Sequence, residues 1–231
     1  MTASTWVFGY GSLVSPASLA PTLGRSGPDD IRAVPAELIG FGRRWNYGSL
    51  TLRGSWRHDD VLVSGIVISL GLESAEAETC NGVLVQVTDD ELARLDWRER
   101  DYERTDVTEQ IGLGHGGSDE RAVVADHAVV AEHAVVDGRI VTYVPRPSAV
   151  DRYLAARDDG RAAVRLAYWD LVHDAFSGLG RSALDRFTSH TPAPDVPIAD
   201  VHLAPVERST TTSVPAPAAG NRTCVPDMLS G

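Results

Sequence analysis

Two short stretches of the sequence carry residues whose types and spacing could do chemistry. The first, Phe8 to Leu13 (FGYGSL), places two glycines around a tyrosine directly after an apolar run. Such a loop can turn backbone N–H groups outward, where they bind a carboxylate or an oxyanion. The second, Leu95 to Arg104 (LDWRERDYER), contains Glu99 and Asp96, which are candidate general bases. An ordinary tight turn and a charge-paired surface segment are the alternative interpretations of the two stretches.

Known motifs exclude several chemistries for the first stretch. Val14 stands where a dinucleotide-binding G-x-G-x-x-G loop needs its third glycine, and a P-loop would need a lysine. The nucleophile elbow G-x-S-x-G does not match, because Ser12 directly follows Gly11. A serine hydrolase with Ser12 as nucleophile would need a histidine partner, and none of the seven histidines has a local signature for that role.

The flanking elements must position these residues. Thr5 to Phe8 is β-branched and aromatic, which predicts a short buried strand that ends at the glycine loop. Ser15-Pro16 predicts a helix start just after the loop. The capping-box pattern of Thr88 to Glu91 predicts a short helix that continues through Leu95. We therefore expect the loop to join a strand to a helix, and Glu99 to follow the end of another helix.

The remaining pattern predicts a single domain over residues 4–205. Strands are expected at 33–40, 63–70, 82–88, about 105–111 and 138–145. Residues 148–180 have a helical periodicity that breaks at Gly160. The apolar face of that segment consists of Leu154, Leu166, Trp169, Val172 and Phe176.

Two segments have unusual composition. A six-residue repeat within 122–136 predicts further strands, because three copies are too few for a β-helix. We expect its histidines, His127 and His133, to be solvated. Residues 206–231 are rich in Ser, Thr, Pro and Ala, which predicts a disordered tail.

Charge and cysteine content narrow the class of protein. The formal net charge of -11 argues against a nucleic-acid partner, since neutralising phosphates needs clustered cations. The sequence contains no lysine, which excludes a Schiff-base mechanism. Its two cysteines, Cys80 and Cys224, lie far apart and predict neither a disulfide framework nor a zinc site. We find no signal peptide or membrane span in the pattern and expect a soluble, cytosolic protein.

The two stretches, taken with the segments between them, resemble the γ-glutamylcyclotransferase superfamily, which includes ChaC-type and AIG2-like proteins. The resemblance rests on a YGS loop directly after the first strand and on a glutamate in a Leu-Asp-x-x-Glu segment, here Leu95 to Glu99. It runs from Trp6 to Tyr143. Leu13 stands where the classical members have asparagine and is more similar to the ChaC branch. The resemblance implies an α+β fold, a mixed β-barrel with flanking helices.

The resemblance also implies a reaction and a set of roles. The α-amine of a γ-glutamyl group attacks its own γ-carbonyl, which gives 5-oxoproline and releases an amine without metal or cofactor. Glu99 would be the catalytic base and acid, with Asp96 as the rival base. The residues implied in binding the small γ-glutamyl substrate are Tyr10, Gly11, Ser12, Leu13, Tyr102 and Tyr143.

Several alternatives stay open at this point. The leaving group could be cysteinyl-glycine, an amino acid or another amine. A non-catalytic module that binds γ-glutamyl compounds or amino acids is the alternative to an enzyme, although an unpaired carboxylate in a pocket brings nothing to a pure binder. The tetrapeptide YGSL occurs again at Tyr47 to Leu50, where we expect a turn at the rim of the pocket.

Overall fold

The computed structural model of the chain describes residues 4–113 and 138–205. Within these residues, nine strands form one sheet, with helices packed around it. The strands are β1 (Thr5–Gly9), β2 (Ala33–His58), β3 (Val61–Val87), β4 (Tyr102–Asp106), β5 (Ile111–Leu113), β6 (Arg139–Pro145), β7 (Ala162–Arg165), β8 (Ile198–Ala199) and β9 (His202–Leu203). The helices are α1 (Pro16–Leu23), α2 (Asp89–Arg98), α3 (Pro147–Asp158), α4 (Leu166–Gly178) and α5 (Arg181–His190).

The sheet is mixed and curls into a half-barrel. Its main path runs β4-β6-β1-β3-β2-β5, with β7 joined to β3, β8 joined to β7, and β9 joined to β2. β1 lies antiparallel to β3 and parallel to β6, so it is covered on both edges. This arrangement confirms the predicted α+β fold and places the loop that follows β1 among its neighbouring strands.

Two very long strands dominate the sheet, and here the predicted boundaries are wrong. The segments 63–70 and 82–88 belong to the single strand β3, and 33–40 is only the first part of β2. The acidic stretch around Glu73 and Glu78 has the composition of a loop, but Arg44 on β2 forms ion pairs with both carboxylates. These cross-strand charge pairs allow a polar segment to remain in the sheet.

Glycine and aspartate allow the long hairpin to bend and turn. Gly40 has a φ of +82° at a register shift between β2 and β3, where a bulge needs a left-handed residue. Asp59 and Asp60 both have positive φ and form the two-residue connection between the strands. Such turns match the right-handed twist of the flanking strands.

The helices next to the two candidate stretches begin as predicted. The Ser15 side chain caps α1 by accepting from the Ser18 N–H, and Pro16 occupies the first helical position. Thr88 and Glu91 form a complete capping box at the start of α2. α2 ends at Arg98, one turn beyond the predicted end.

The segment 148–180 is more divided than predicted. β7 separates α3 from α4, so the two helices do not share one apolar face. Val172 and Phe176 are fully buried, whereas Leu154 and Leu166 remain exposed. The predicted strand at 105–111 is likewise divided, into β4, a 3-10 turn at Thr108–Gln110, and β5.

The main core lies between the sheet and the helices. Phe8 of β1, Leu84 of β3 and Val141 of β6 are fully buried there, together with Leu95 of α2. The repeat at 122–136, its histidines and the tail at 206–231 lie outside the described residues. In the described part of the chain, no helix is long and apolar enough to cross a membrane.

Gly48 is required where α3 lies on β2. A Cβ atom at this position would lie 2.6 Å from the backbone nitrogen of Tyr153, so the helix would have to move. We predict that Gly48→Ala lowers the free energy of unfolding by about 1–3 kcal/mol or more, because backbone atoms cannot repack as a side chain can. Chemical denaturation measures this loss.

Gly178→Ala is the matched control, because no atom lies within 4 Å of a Cβ built there. It should change the stability by no more than about 0.5 kcal/mol. Equal stability of the two variants would contradict the packing of α3 on β2.

Candidate active site

The glycine loop bends sharply after β1. A Cβ at Gly9 would lie 2.8 Å from the Cβ of Leu13, so only a glycine allows the loop to fold back on itself. Ser12–Val14 forms a short 3-10 turn that leads into α1. The Leu13 side chain is buried in the core. The loop is therefore held at both ends, by a central strand and by a capped helix.

Glu99 lies directly after the last residue of α2. Its backbone N–H donates to the Leu95 carbonyl at 2.7 Å, and its carbonyl accepts from the Tyr102 N–H at 2.7 Å. These bonds form a tight connection between α2 and β4 and fix the direction of the side chain. The side chain of Glu99 is only 14% exposed.

The structure brings all the predicted site residues into one small pocket, with a cavity volume of about 30 Å³. Its lining contains Leu70 and Tyr168 in addition to the predicted residues. The full lining is Tyr10, Gly11, Ser12, Leu13, Leu70, Glu99, Tyr102, Tyr143 and Tyr168. A carboxylate thus faces a glycine loop inside a wall of tyrosines.

Burial sets the protonation behaviour of Glu99. Removal from water raises the pKa of its carboxyl group, and the charge of Arg98 lowers the pKa by less. The Arg98 Nε lies 3.0 Å from the Glu99 Oε1. The result is a carboxylate that accepts a proton more readily than an exposed glutamate does.

Arg98 also ties Glu99 to the glycine loop. Its Nη2 donates to the Ser12 Oγ at 2.9 Å and to the Ser18 Oγ at 3.0 Å. Its Nη1 donates to the Ser18 carbonyl at 3.0 Å and to the Thr22 Oγ1 at 2.9 Å. Sequence reasoning missed this role, although Arg98 directly precedes Glu99 in the charged run.

Three of the pocket tyrosines donate their hydroxyl protons to the protein. The Tyr10 hydroxyl donates to the Tyr143 carbonyl at 2.7 Å, and the Tyr102 hydroxyl donates to the Leu70 carbonyl at 3.1 Å. The Tyr143 hydroxyl donates to the Asp96 Oδ1 at 2.9 Å. Burial raises the pKa of all three phenols, which keeps them neutral. They shape the pocket and keep only lone pairs for a ligand.

Asp96, the rival base, lies outside the pocket lining. Its Oδ2 pairs with Arg104 at 2.6 Å, and its Oδ1 accepts the proton of Tyr143. The side chain is 41% exposed. Asp96 therefore orients a wall residue, and Glu99 is the carboxylate that faces the cavity.

The second YGSL copy does not form a turn, contrary to the sequence-based expectation. Tyr47 to Leu50 lies within β2. The Tyr47 ring stacks on the Tyr102 ring at a centroid distance of 4.3 Å and an interplanar angle of 15°. This copy supports the pocket wall from behind.

The serine-hydrolase alternative finds no support in the geometry. Ser12 Oγ accepts a hydrogen bond from the Arg98 guanidinium, which cannot act as a base. Among the described residues, the pocket lining contains no histidine.

Tyr168 was missed because it lies on α4, far from both motifs in the sequence. The helical pattern assigned its neighbour Trp169 to an apolar face and gave Tyr168 no role. In the structure, a Cβ at Gly11 would lie 3.1 Å from the Tyr168 hydroxyl oxygen. Only the tertiary fold brings this residue over the loop.

Comparison with known proteins gives structural matches only. No family profile and no curated protein matches the chain. A γ-glutamyl cyclotransferase is similar over 82% of this chain and 89% of that chain, at 12% identity and a TM-score of 0.47. A yeast γ-glutamyl cyclotransferase specific to glutathione covers 82% of this chain and 98% of that chain, at 13% identity and a TM-score of 0.48. A protein from Arabidopsis thaliana has 22% identity and a TM-score of 0.37, covering 63% of this chain and 74% of that chain.

Two of these neighbours carry the name of the superfamily that the motifs resemble.

The buried carboxylate of Glu99 should make the stability of the protein depend on pH. Because burial raises the pKa of Glu99 above its unfolded value, wild-type protein should lose stability relative to Glu99→Gln as pH rises through the folded pKa. The melting temperature of the variant should therefore rise relative to that of wild type as pH increases towards neutral. Denaturation curves from about pH 4 to about pH 8 test this, because the loss begins at the pKa of an unfolded glutamate, about 4.3.

Glu103→Gln removes an exposed carboxylate of β4 instead and serves as the control. A Glu99→Gln variant that becomes less stable than wild type as pH rises would show that the site stabilises the charged form.

Proposed function

We propose that the protein is a γ-glutamylcyclotransferase, which cleaves a γ-glutamyl amide or peptide by intramolecular aminolysis. The main support is the Glu99 carboxylate, which is desolvated and faces the glycine loop in one small pocket. A carboxylate with a raised pKa suits a group that must take up a proton and return it within one cycle.

The reaction needs one group to move a proton. Glu99 accepts a proton from the substrate α-ammonium, and the freed amine attacks the γ-carbonyl carbon to form the new C–N bond. The carbonyl electron pair moves to oxygen and gives a tetrahedral oxyanion. When the oxyanion collapses, the bond to the leaving nitrogen breaks, and Glu99 returns the proton to that nitrogen. The second proton of the former ammonium leaves the ring nitrogen and passes by way of Glu99 to the released amine. The products are 5-oxoproline and the amine in its ammonium form, and no water is consumed.

The shape of the pocket supports this chemistry. Nucleophile and electrophile belong to one substrate, so holding its curled conformer supplies much of the rate, with effective molarities on the order of 10⁵ M or more for well-aligned groups. The neutral phenols of Tyr10, Tyr102 and Tyr143 confine the γ-glutamyl group without adding charge. The backbone of the glycine loop provides donors for its carboxylate or its developing oxyanion.

Glu99→Gln should abolish the activity. The amide has the same shape but cannot accept a proton, so 5-oxoproline release should fall by about 10²-fold or more. The measurement is mass spectrometry of 5-oxoproline from a panel of γ-glutamyl amino acids, amines and glutathione. Glu103→Gln is again the control and should retain wild-type rates.

If the variant kept activity close to wild type, Glu99 would not be the base. If the wild type bound γ-glutamyl compounds without turnover, the protein would be a binding module.

Gly11→Val should also remove turnover. Its side chain would begin 3.1 Å from the Tyr168 hydroxyl and 3.6 Å from the Leu70 Cβ, inside the space the substrate needs. The matched control is Gly27→Val, because a Cβ at Gly27 has no atom within 4 Å. Steady-state rates of 5-oxoproline formation compare the two variants, and an active Gly11→Val would place the substrate elsewhere.

A further inference from the structure

Tyr168 differs from the other pocket tyrosines in the direction of its hydrogen bonds. Its hydroxyl oxygen accepts from the Leu70 backbone N–H at 3.4 Å. A phenol has two acceptor lone pairs and one proton to donate. No acceptor for this proton is found among the described residues, so the proton is left for a ligand.

The position of the hydroxyl is well fixed. Tyr168 lies near the start of α4, and its ring meets the Trp45 ring edge-on at a centroid distance of 6.2 Å. Trp45 in turn stacks on Trp169 at 5.2 Å. The aromatic contacts hold the ring, and the Leu70 amide holds the oxygen beside Gly11.

Its location near Glu99 indicates which substrate oxygen it would meet. Tyr168 and Glu99 line the same small pocket. Burial, together with the Glu99 charge, raises the pKa of Tyr168 to about 12. A permanent carboxylate beside an ionised Glu99 would be repelled. The reaction oxyanion, in contrast, forms only after Glu99 has taken the substrate proton and become neutral. A neutral donor beside Glu99 therefore suits the transient charge better than a permanent one.

We infer that Tyr168 is a catalytic residue whose hydroxyl donates a hydrogen bond to the γ-carbonyl oxygen as it becomes an oxyanion. This rests on the proposed function. The Leu70 amide donates to the phenol oxygen, so it polarises the hydroxyl and acts on the oxyanion through it.

Tyr168→Phe tests the inference, because it removes the hydroxyl and keeps the ring. Loss of one oxyanion donor should lower kcat by about 10²-fold and change KM little, since the bond strengthens in the transition state. Tyr153→Phe is the matched control: its hydroxyl bonds to Asp195 outside the pocket, so its loss affects stability and not kcat. Rates of 5-oxoproline formation and melting temperatures are measured for both.

The outcomes separate this inference from the proposed function. If wild type forms no 5-oxoproline, both are wrong. If wild type is active and Tyr168→Phe keeps kcat within about threefold, only the role of Tyr168 is wrong. A rise in KM at constant kcat would also overturn it, because the hydroxyl would then bind the ground state.

A second variant provides a test of the donor role if Tyr168→Phe folds poorly. p-Aminophenylalanine at position 168 keeps an N–H donor in place of the hydroxyl. We expect its kcat to lie within about tenfold of wild type. A kcat as low as that of Glu99→Gln, in a folded protein, would contradict a donor role.

Discussion

The candidate site depends on the ion pair between Arg98 and Glu99. A carboxylate in an apolar pocket is costly unless a cation or hydrogen bonds compensate for the lost water. Arg98 provides that compensation and at the same time binds Ser12 of the glycine loop and Ser18 of α1. The compensation is partial, since the pKa of Glu99 stays raised. The same contact therefore holds the carboxylate in place and leaves it ready to accept a proton.

The sheet brings the remaining wall together from distant parts of the sequence. β1 lies between β3 and β6, so the loop that follows it lies beside Leu70 and Tyr143. β4 continues the sheet next to β6 and contributes Tyr102. Gly48 allows α3 to lie on β2, while α4 carries Tyr168 over the loop. Close backbone approaches at a few glycines thus help to determine the shape of a pocket lined by one carboxylate and several phenols.

The sequence predicted the local features well and the long-range ones poorly. Capping residues predicted the starts of α1 and α2, because a cap is a contact within three or four residues. The sequence pattern could not reveal that β3 continues through the acidic stretch near Glu73, since the compensating Arg44 lies on another strand. The position of Tyr168 in the pocket could not be predicted for a similar reason. Its neighbours on α4 have the pattern of an ordinary apolar face, and only the tertiary fold places its hydroxyl beside Gly11. The motif pair indicated the pocket, whereas the hydrogen-bond directions inside it required coordinates.

In the proposed reaction the substrate amine, and not water, attacks the γ-carbonyl. Giving the wild-type protein a γ-glutamyl amide and its N-acetylated analogue, with products identified by mass spectrometry, distinguishes the two nucleophiles. We expect 5-oxoproline from the free amine and no cleavage of the acetylated compound, whose nitrogen cannot attack. Release of glutamate, or of N-acetylglutamate from the blocked compound, would show hydrolysis and contradict the proposed reaction.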